Sequence, residues 1–443
     1  MTQPNLPAHS LLAPDARTQA RNRAEARFRL YGLLAASAAI LMLGVLLVSI
    51  LTNGLSAFRQ SYVSIPVTLS ADILDKDGRR DPIAMKKVTT TGYAKLIAKN
   101  LEAALAVNNI TTDGMKPKEV AGMLSEESAA TLRNRVLADP GLVGQTIPVD
   151  LLANGRIDGF FKGRVTLESA KLDSKISPEQ LNLATAMKSA GLLGIHFNLA
   201  FLTAPDASEK RPEAAGLGVA IIGSLYMMLV VLFLSLPIGV AAAVYLEEFA
   251  PKNRFTDLIE VNISNLAAVP SIVFGILGLA AFINFGHLPR SAPVVGGLVL
   301  TLMTLPRIII PARAALKAVP PSIRDAALGI GASRMQSVLH HVLPLAAPGI
   351  LTGMIIGLAQ ALGETAPLLL IGMVAFVRDF PGLPPAGFFD PATALPVQIY
   401  SWTQRADPAF VERASGAIIV LLVFLMMMNG GAILLRRRFE RRW

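Results

Sequence analysis

The chain has 443 residues, of which 53% are hydrophobic and only 16% are charged. This composition excludes an ordinary soluble globular enzyme. The sequence contains no cysteine, which excludes disulfides, thiolate metal ligands and a cysteine nucleophile. The formal net charge is +10, but most of the excess flanks apolar segments, so it indicates a membrane protein rather than a nucleic-acid-binding protein.

Residues 1–29 form a polar, basic segment that precedes the first apolar segment, 30–52. The apolar segment is longer than the roughly 7–15 apolar residues of a secretory signal peptide, and it reaches the roughly 20 residues that a membrane-spanning helix needs. We therefore interpret 30–52 as an uncleaved first transmembrane helix.

Residues 53–216 are rich in charge and predict an α+β domain inserted after the first span. The spacing of apolar residues predicts helices over 91–107 and 117–137, and Ser177-Pro178-Glu179 predicts a capped helix over 177–193. The alternation over 149–165 predicts a pair of strands around Asn154-Gly155. The acidic residues of this domain do not follow the spacing of a calcium loop, so we predict no metal site.

The segment 217–435 contains five further apolar runs, which together with the first predict an all-α polytopic membrane protein with six transmembrane helices. Its basic loop 312–344, the basic N-terminus and the basic tail 436–443 fall on one side of the membrane. The positive-inside rule predicts that this side is cytoplasmic and that the insert 53–216 is extracytoplasmic. The five runs are 217–244, 263–285, 293–310, 345–371 and 417–435.

The loop 312–344 includes the sequence DAALGIGASRMQSVLHHVLP at 325–344. Ala326 and Ala327 give a helix a smooth face, Gly331 permits a turn that a side chain would resist, and Pro344 marks the start of a new helix. The spacing alone fits two interpretations. One is an ordinary amphipathic loop between membrane helices, and the other is a rigid elbow on which a partner docks.

This loop resembles the EAA coupling loop of binding-protein-dependent ABC importer permeases, with Asp325 in place of the usual Glu. Two further motifs flank it in order, VPSIVFG at 269–275 and GETAP at 363–367. Together they resemble the PstA-type permease subunit of the bacterial phosphate ABC importer, over about residues 216–435. The resemblance implies a MetI-like fold and an ATPase-coupling role for Asp325, Ala326, Ala327, Gly331, Leu343 and Pro344.

The resemblance also implies that the two flanking motifs contribute to a translocation path. Pro270 and Gly275 weaken a helix locally. Glu364 lies within an apolar run, where a charge costs about 2.5–3.5 kcal/mol. It is either a gate or the ion-pair partner of an arginine, or it caps a broken helix. The predicted path residues are Pro270, Ser271, Gly275, Arg307, Gln360, Gly363, Glu364, Thr365 and Pro367.

The cation that would meet an anion is not obvious from the sequence. Many relatives carry an arginine one turn before Glu364, where this chain has Gln360, so an Arg–Glu pair between these two positions is not available. Arg307 either faces the anion or anchors the cytoplasmic end of its helix by reaching to the membrane interface. We favour the anchor.

The sequence contains no G-x-x-x-x-G-K-[ST], H-E-x-x-H or G-x-S-x-G motif, so we expect a transport subunit that is not an enzyme and needs no cofactor or metal of its own. The resemblance implies a bacterial inner-membrane location, a PstC-type sister permease, a PstB-type ATPase dimer that binds the ATP, and a PstS-type periplasmic phosphate-binding protein. Three alternatives remain. The first is a permease for another oxyanion such as sulfate or molybdate, or for another solute. The second is a secondary transporter or channel, which should show repeated halves, and the third is a non-transport scaffold with a sensory external domain.

Overall fold

The computed structural model describes residues 16–75, 78, 80–112, 114–374 and 376–439. Residues 1–15 of the predicted basic N-terminus and 440–443 of the predicted basic tail lie outside the described residues. The chain divides into two compact units, Met1–Thr52 and Asn53–Trp443. The first helix, α1 (Ala16–Gly54), contains the predicted first span and is apolar and long enough to cross a membrane.

The insert contains an antiparallel three-stranded sheet in the order β2-β1-β3, with β1 central. Alternate residues of β1, namely Val63, Ile65 and Val67, are buried against helices that cover one face of the sheet. The insert is therefore α+β, as predicted. Its elements are β1 (Arg59–Thr68), α2 (Ala71–Leu74), α3 (Pro82–Met85), α4 (Thr90–Val107), α5 (Pro117–Ala121), α6 (Glu126–Ala138), β2 (Thr146–Leu152), α7 (Gly155–Phe161), α8 (Leu167–Ala170), α9 (Pro178–Ser189), β3 (Leu193–Phe197) and α10 (Ala200–Thr203).

The predicted strand pair over 149–165 is wrong in its second half. β2 ends at Leu152, and the Asn154 side chain accepts a hydrogen bond from the Arg156 N–H (2.9 Å). Asn154 is therefore the N-cap of α7 and not part of a hairpin turn. The predicted helix over 117–137 is divided into α5 and α6, because Ser125 caps a new helix.

The remainder of the chain is helical. In the described part of the chain, five helices are long and apolar enough to cross a membrane, or six if one bent pair counts as a span. The elements are α11 (Gly218–Val244), α12 (Arg254–Ala268), α13 (Ser271–Gly278), α14 (Pro293–Lys317), α15 (Pro321–Gly329), α16 (Arg334–Ser337), α17 (Leu343–Gly363), α18 (Ala366–Leu370), α19 (Leu395–Thr403) and α20 (Pro408–Phe439), with π-helical turns at Tyr245–Phe249, Leu279–Phe285 and Val338–Val342.

The predicted span 263–285 is not one straight helix. α12 and the helical run Ser271–Phe285 meet at an angle of 101°. The cause is Pro270, which has no N–H to donate and forces the residue before it out of the helical region. Val269 accordingly has φ −66° and ψ 131°.

The predicted span 345–371 also breaks, because α17 ends at Gly363 and α18 begins only at Ala366. At its other end the helical run is continuous from Arg334 to Gly363. Pro344 is the second residue of α17, in the first turn, where its missing N–H is tolerated, so the predicted helix start is present. The π-helical turn Val338–Val342 directly precedes α17, and such a turn changes the hydrogen-bond pattern where a proline cannot donate.

Glycines allow the membrane helices to pack closely. A Cβ at Gly297 of α14 would lie 2.5 Å from the Val230 Cβ of α11, and a Cβ at Gly278 of α13 would lie 2.1 Å from the Val299 Cγ2. Small residues at helix contacts are typical of membrane bundles. These contacts hold α14 against α11 and α13, and α13 carries the first of the two motifs described below.

Candidate functional site

The VPSIVFG and GETAP motifs, which are far apart in sequence, meet in the structure. α13 follows the break at Pro270, and α18 follows the break at Glu364. A Cβ at Gly275 of α13 would lie 2.7 Å from the Pro367 Cα of α18, so only glycine fits at this contact. Two broken helices thus pack against each other, an arrangement that is tolerated in membranes where the backbone is buried in protein or lines a wet cavity.

The predicted path residues divide by exposure. Pro270, Gln360 and Gly363 are exposed on the surface of this chain, whereas Gly275 and Pro367 are buried between the two broken helices. Ser271, Glu364 and Thr365 are half-buried. The polar members of the set therefore lie at the edge of the helix contact and not within it.

Glu364 is the C-cap residue of α17, and its N–H donates to the Ala361 carbonyl (3.2 Å). Its carboxylate lies 3.9 Å from the Arg307 guanidinium (Oε1 to Nη1). The side chains of Arg307 and Glu364 are only 22% and 18% exposed. Among the described residues, the buried Arg307 Nη1 has no hydrogen-bond partner.

The interpretation of Arg307 as an anchor at the membrane interface stays a prediction. α14 continues to Lys317, so Arg307 lies about 15 Å from that end of the helix at 1.5 Å per residue. The guanidinium lies near Glu364 at the end of α17, whose Gly357 leaves space beside the Arg307 Cβ. The pair with Glu364 thus comes from a different helix and not from position 360.

The pairing of Arg307 with Glu364 has physical consequences in a helix long and apolar enough to cross a membrane. Each charge is costly within a membrane unless it is paired or hydrated, so each side chain stabilises the presence of the other. A separation of 3.9 Å is longer than a close charged hydrogen bond of about 2.7–2.9 Å. The guanidinium therefore retains donors that an additional anionic group could use.

The loop 325–344 forms an elbow of two short helices. α15 ends at Gly329, Gly331 has φ +92°, and Ser333 caps α16 by accepting from the Gln336 N–H (3.2 Å). A positive φ favours glycine, which has no Cβ to clash with the backbone. The predicted sequence of helix, glycine break and second helix is therefore present.

The elbow presents apolar side chains to its surroundings. Ile330, which the sequence analysis did not single out, is 83% exposed, and Leu328 and Met335 are about half exposed. Asp325 and Ala326 share this exposed surface, while Ala327 is buried. Leu343 is different, because it packs against the buried cluster between α14 and α17. The predicted coupling residues thus divide into a group on the surface of the elbow and a group that packs against the helices beneath it.

Two arginines join the elbow region to neighbouring helices. Arg324 of α15 pairs with Glu248 (Nη2 to Oε1, 2.6 Å) and donates to the carbonyls of Val319 and Leu316. The hydrogen bonds to Glu248 raise the pKa of Arg324 above its usual value. Arg313 of α14 pairs with Glu260 of α12 (2.6 Å). The acids of the VYLEEFA segment at 244–250 were visible in the sequence, but the identity of their partners was not.

Comparisons with known proteins agree with this picture. A family model described as a binding-protein-dependent transport system inner membrane component matches residues 235–443, and one described as a domain of unknown function (DUF3333) matches residues 15–171. The chain is similar to the methionine ABC transporter MetNI in an inward-facing conformation, with 16% identity and a TM-score of 0.40 over 50% of this chain and 95% of that one.

Three curated relatives are similar over about two fifths to one half of this chain. The phosphate transport system permease protein PstA of Xylella fastidiosa is 30% identical over 47% of this chain and 69% of its own length. The probable ABC transporter permease protein YqgI of Bacillus subtilis is 29% identical over 52% and 83%. PstC of Haemophilus influenzae is 30% identical over 41% and 64%. The predicted fold class, a polytopic helical permease with an inserted α+β domain, is confirmed. The chain belongs to the ABC transporter permeases and, among them, to the PstA-type proteins.

Proposed function

We propose that this chain is the transmembrane permease subunit of an ATP-driven importer that moves inorganic phosphate across the bacterial inner membrane. The observation that carries this proposal is the half-buried Arg307 guanidinium, which lies 3.9 Å from the Glu364 carboxylate and whose Nη1 has no hydrogen-bond partner among the described residues. Guanidinium groups bind phosphate oxygens through parallel N–H donors. The printed name of the PstA relative supports phosphate as the anion.

In this proposal the two broken helices form one wall of the path. The hydroxyls of Ser271 and Thr365 and the amide of Gln360 would contact phosphate as it passes Arg307. Pro270, Gln360 and Gly363 are exposed on this chain, and a PstC-type sister permease would supply the opposite wall. Glu364 would neutralise Arg307 between transport events and would separate from it when phosphate arrives.

The elbow 325–344 would dock on a PstB-type ATPase dimer, with Leu328 and Ile330 as its apolar contacts. Closure of the dimer on ATP would move the elbow, and the Arg324–Glu248 pair would pass this movement to the end of α11. The chain itself would bind no cofactor. A PstS-type binding protein would deliver phosphate on the side of the insert, with both termini of this chain in the cytoplasm.

The role of Glu364 is tested by Glu364→Gln, which keeps the shape of the side chain and removes its charge. We expect phosphate uptake to fall at least about tenfold, because a change of about 1.4 kcal/mol in the Arg307 interaction is sufficient for that factor. The measurement is the uptake of labelled phosphate by cells that contain the variant at wild-type level. Asp257→Asn, at an exposed position of α12, is the matched control.

An unchanged uptake rate in Glu364→Gln would contradict a role for Glu364 in transport. It would leave the residue with the structural task of ending α17.

A further inference from the structure

We propose that the insert carries a membrane-contact surface, formed by Leu55, Ile195, Phe197 and Leu199, that lies in the headgroup–acyl boundary of the leaflet on the insert's side. These side chains are 55%, 40%, 64% and 59% exposed. Single exposed apolar residues are normal on any protein, but these belong to two adjoining segments, 55–58 and 195–199. The proposal concerns a lipid surface and is independent of what the permease transports.

The four residues lie at one place because the end of β3 closes against the segment that precedes β1. The Asn198 N–H donates to the Phe58 carbonyl (2.8 Å), and the Asn198 side chain donates to the Ala57 carbonyl (3.2 Å). The rings of Phe58 and Phe197 are stacked with their centroids 6.4 Å apart. Ile195 lies on the same side of β3 as Phe197, since side chains two residues apart share a face.

The level of this patch relative to the membrane follows from α20. The uncharged run 414–435 of α20 is about 33 Å long at 1.5 Å per residue, which matches a hydrocarbon core of about 30 Å. One edge of the core therefore lies near Gly416. A Cβ at Gly416 would lie 2.7 Å from the Ala57 Cβ and 2.9 Å from the Phe201 Cζ. The segments that carry the patch thus lie at the edge of the hydrocarbon.

Charged contacts begin immediately beyond this edge. Arg413 donates to the Gln60 side chain (2.7 Å), and Glu412 pairs with Lys162 (2.9 Å) and Arg164 (2.6 Å) of the insert. These side chains of α20 are almost completely buried, so they fix the insert to the helix at this height. The part of the insert that carries the patch is therefore held close to the membrane surface.

The residues around the patch are typical of a membrane interface. Behind it, Phe201 packs against Phe58 and Trp402, and Trp402 packs against Phe410, as in the aromatic belts of membrane proteins. Arg59 is exposed and lies directly opposite Phe197 in the sheet register. An arginine beside inserted apolar side chains can reach lipid phosphates. The aromatic side chains behind the patch and the exposed arginine beside it favour lipid, rather than a protein partner, as what contacts the patch.

The absence of native cysteine allows a direct test. Phe197→Cys and Leu199→Cys, each labelled with a nitroxide, are prepared in the full-length chain with its co-purifying subunits and placed in nanodiscs of phosphatidylethanolamine and phosphatidylglycerol. Collisions with oxygen, which concentrates in lipid, and with a water-soluble nickel chelate are then measured. Val107→Cys and Leu172→Cys are matched controls, because both are apolar positions of the insert that are more than 80% exposed.

We expect the ratio of oxygen to nickel collisions at 197 and 199 to be several-fold higher than at 107 and 172. A ratio equal to that of the controls would place the patch in water and overturn the proposal. Protection from both reagents would mean that a protein subunit covers the patch, which also overturns it. If either variant fails to elute as the wild-type complex does, Ile195→Cys provides the same measurement from the neighbouring position.

Discussion

Arg307→Gln is expected to lower phosphate uptake by about 10- to 100-fold, the factor that corresponds to the loss of about 1.5–3 kcal/mol from a hydrogen bond with a charged group. The substitution removes the cation that we propose meets phosphate, and it leaves Glu364 as an unpaired acid in the helical core. Arg307→Lys keeps the charge but loses the planar pair of donors, so an intermediate rate is expected. The measurement is uptake of labelled phosphate, normalised to the amount of inserted protein.

Lys317→Gln is the matched control for Arg307, since it removes a positive charge from an exposed position at the end of the same helix. It should leave uptake within about twofold of wild type, because an exposed charge contributes little. Wild-type uptake in Arg307→Gln would show that this guanidinium does not act on the anion.

Gly331→Val should uncouple transport from ATP hydrolysis while the chain still inserts and assembles. Gly331 has φ +92°, a conformation that costs a side-chain-bearing residue on the order of 1–2 kcal/mol, and more for a β-branched one. The strain would open the elbow and change the angle between α15 and α16. The measurements are phosphate uptake, expected to fall at least about tenfold, and ATP hydrolysis by the assembled complex.

Gly329→Val is the control for Gly331→Val, because it adds the same side chain at a position where the backbone is not strained by it. Gly329 ends α15 without a positive φ, and within the described structure a Cβ at Gly329 or Gly331 meets no atom within 4 Å. Because Gly329 lies between Leu328 and Ile330, some loss of uptake is expected, but a smaller one than in Gly331→Val. Equal uptake by the two variants would contradict the need for the left-handed turn, and with it the rigid elbow.

The positions of the spans were predictable because the bilayer imposes a simple length rule on apolar runs. The breaks at Pro270 and near Glu364 were only partly predictable. A proline marks a weak point, but the angle of 101° depends on what the two halves pack against. At Asn154 the local sequence fits either a hairpin turn or a helix N-cap. Tertiary packing decides between them, since Gly155 lies close to the buried Glu213 side chain.

The sequence allowed Glu364 to be the ion-pair partner of an arginine, but it did not identify the partners in the ion pairs. Arg307 and Glu364 lie on different helices, and Lys162 and Glu412 are separated by 250 residues. Their encounters depend on how glycines set the distance between helices and on where the insert docks. Neither the periodicity of apolar residues nor the spacing of motifs gives the distance between helices or the position at which the insert docks. The anchor interpretation of Arg307 considered one helix without its neighbour, and it therefore did not include the pair with Glu364.

The central claim is tested most directly by reconstituting the purified complex that contains this chain in proteoliposomes and measuring uptake of labelled phosphate with and without ATP. The proposal predicts uptake that requires both ATP and this chain, and that a large excess of sulfate does not inhibit. Uptake that proceeds equally without ATP would indicate a secondary transporter. Loss of phosphate uptake to competing sulfate, or no phosphate uptake by an intact complex that hydrolyses ATP, would contradict phosphate as the substrate.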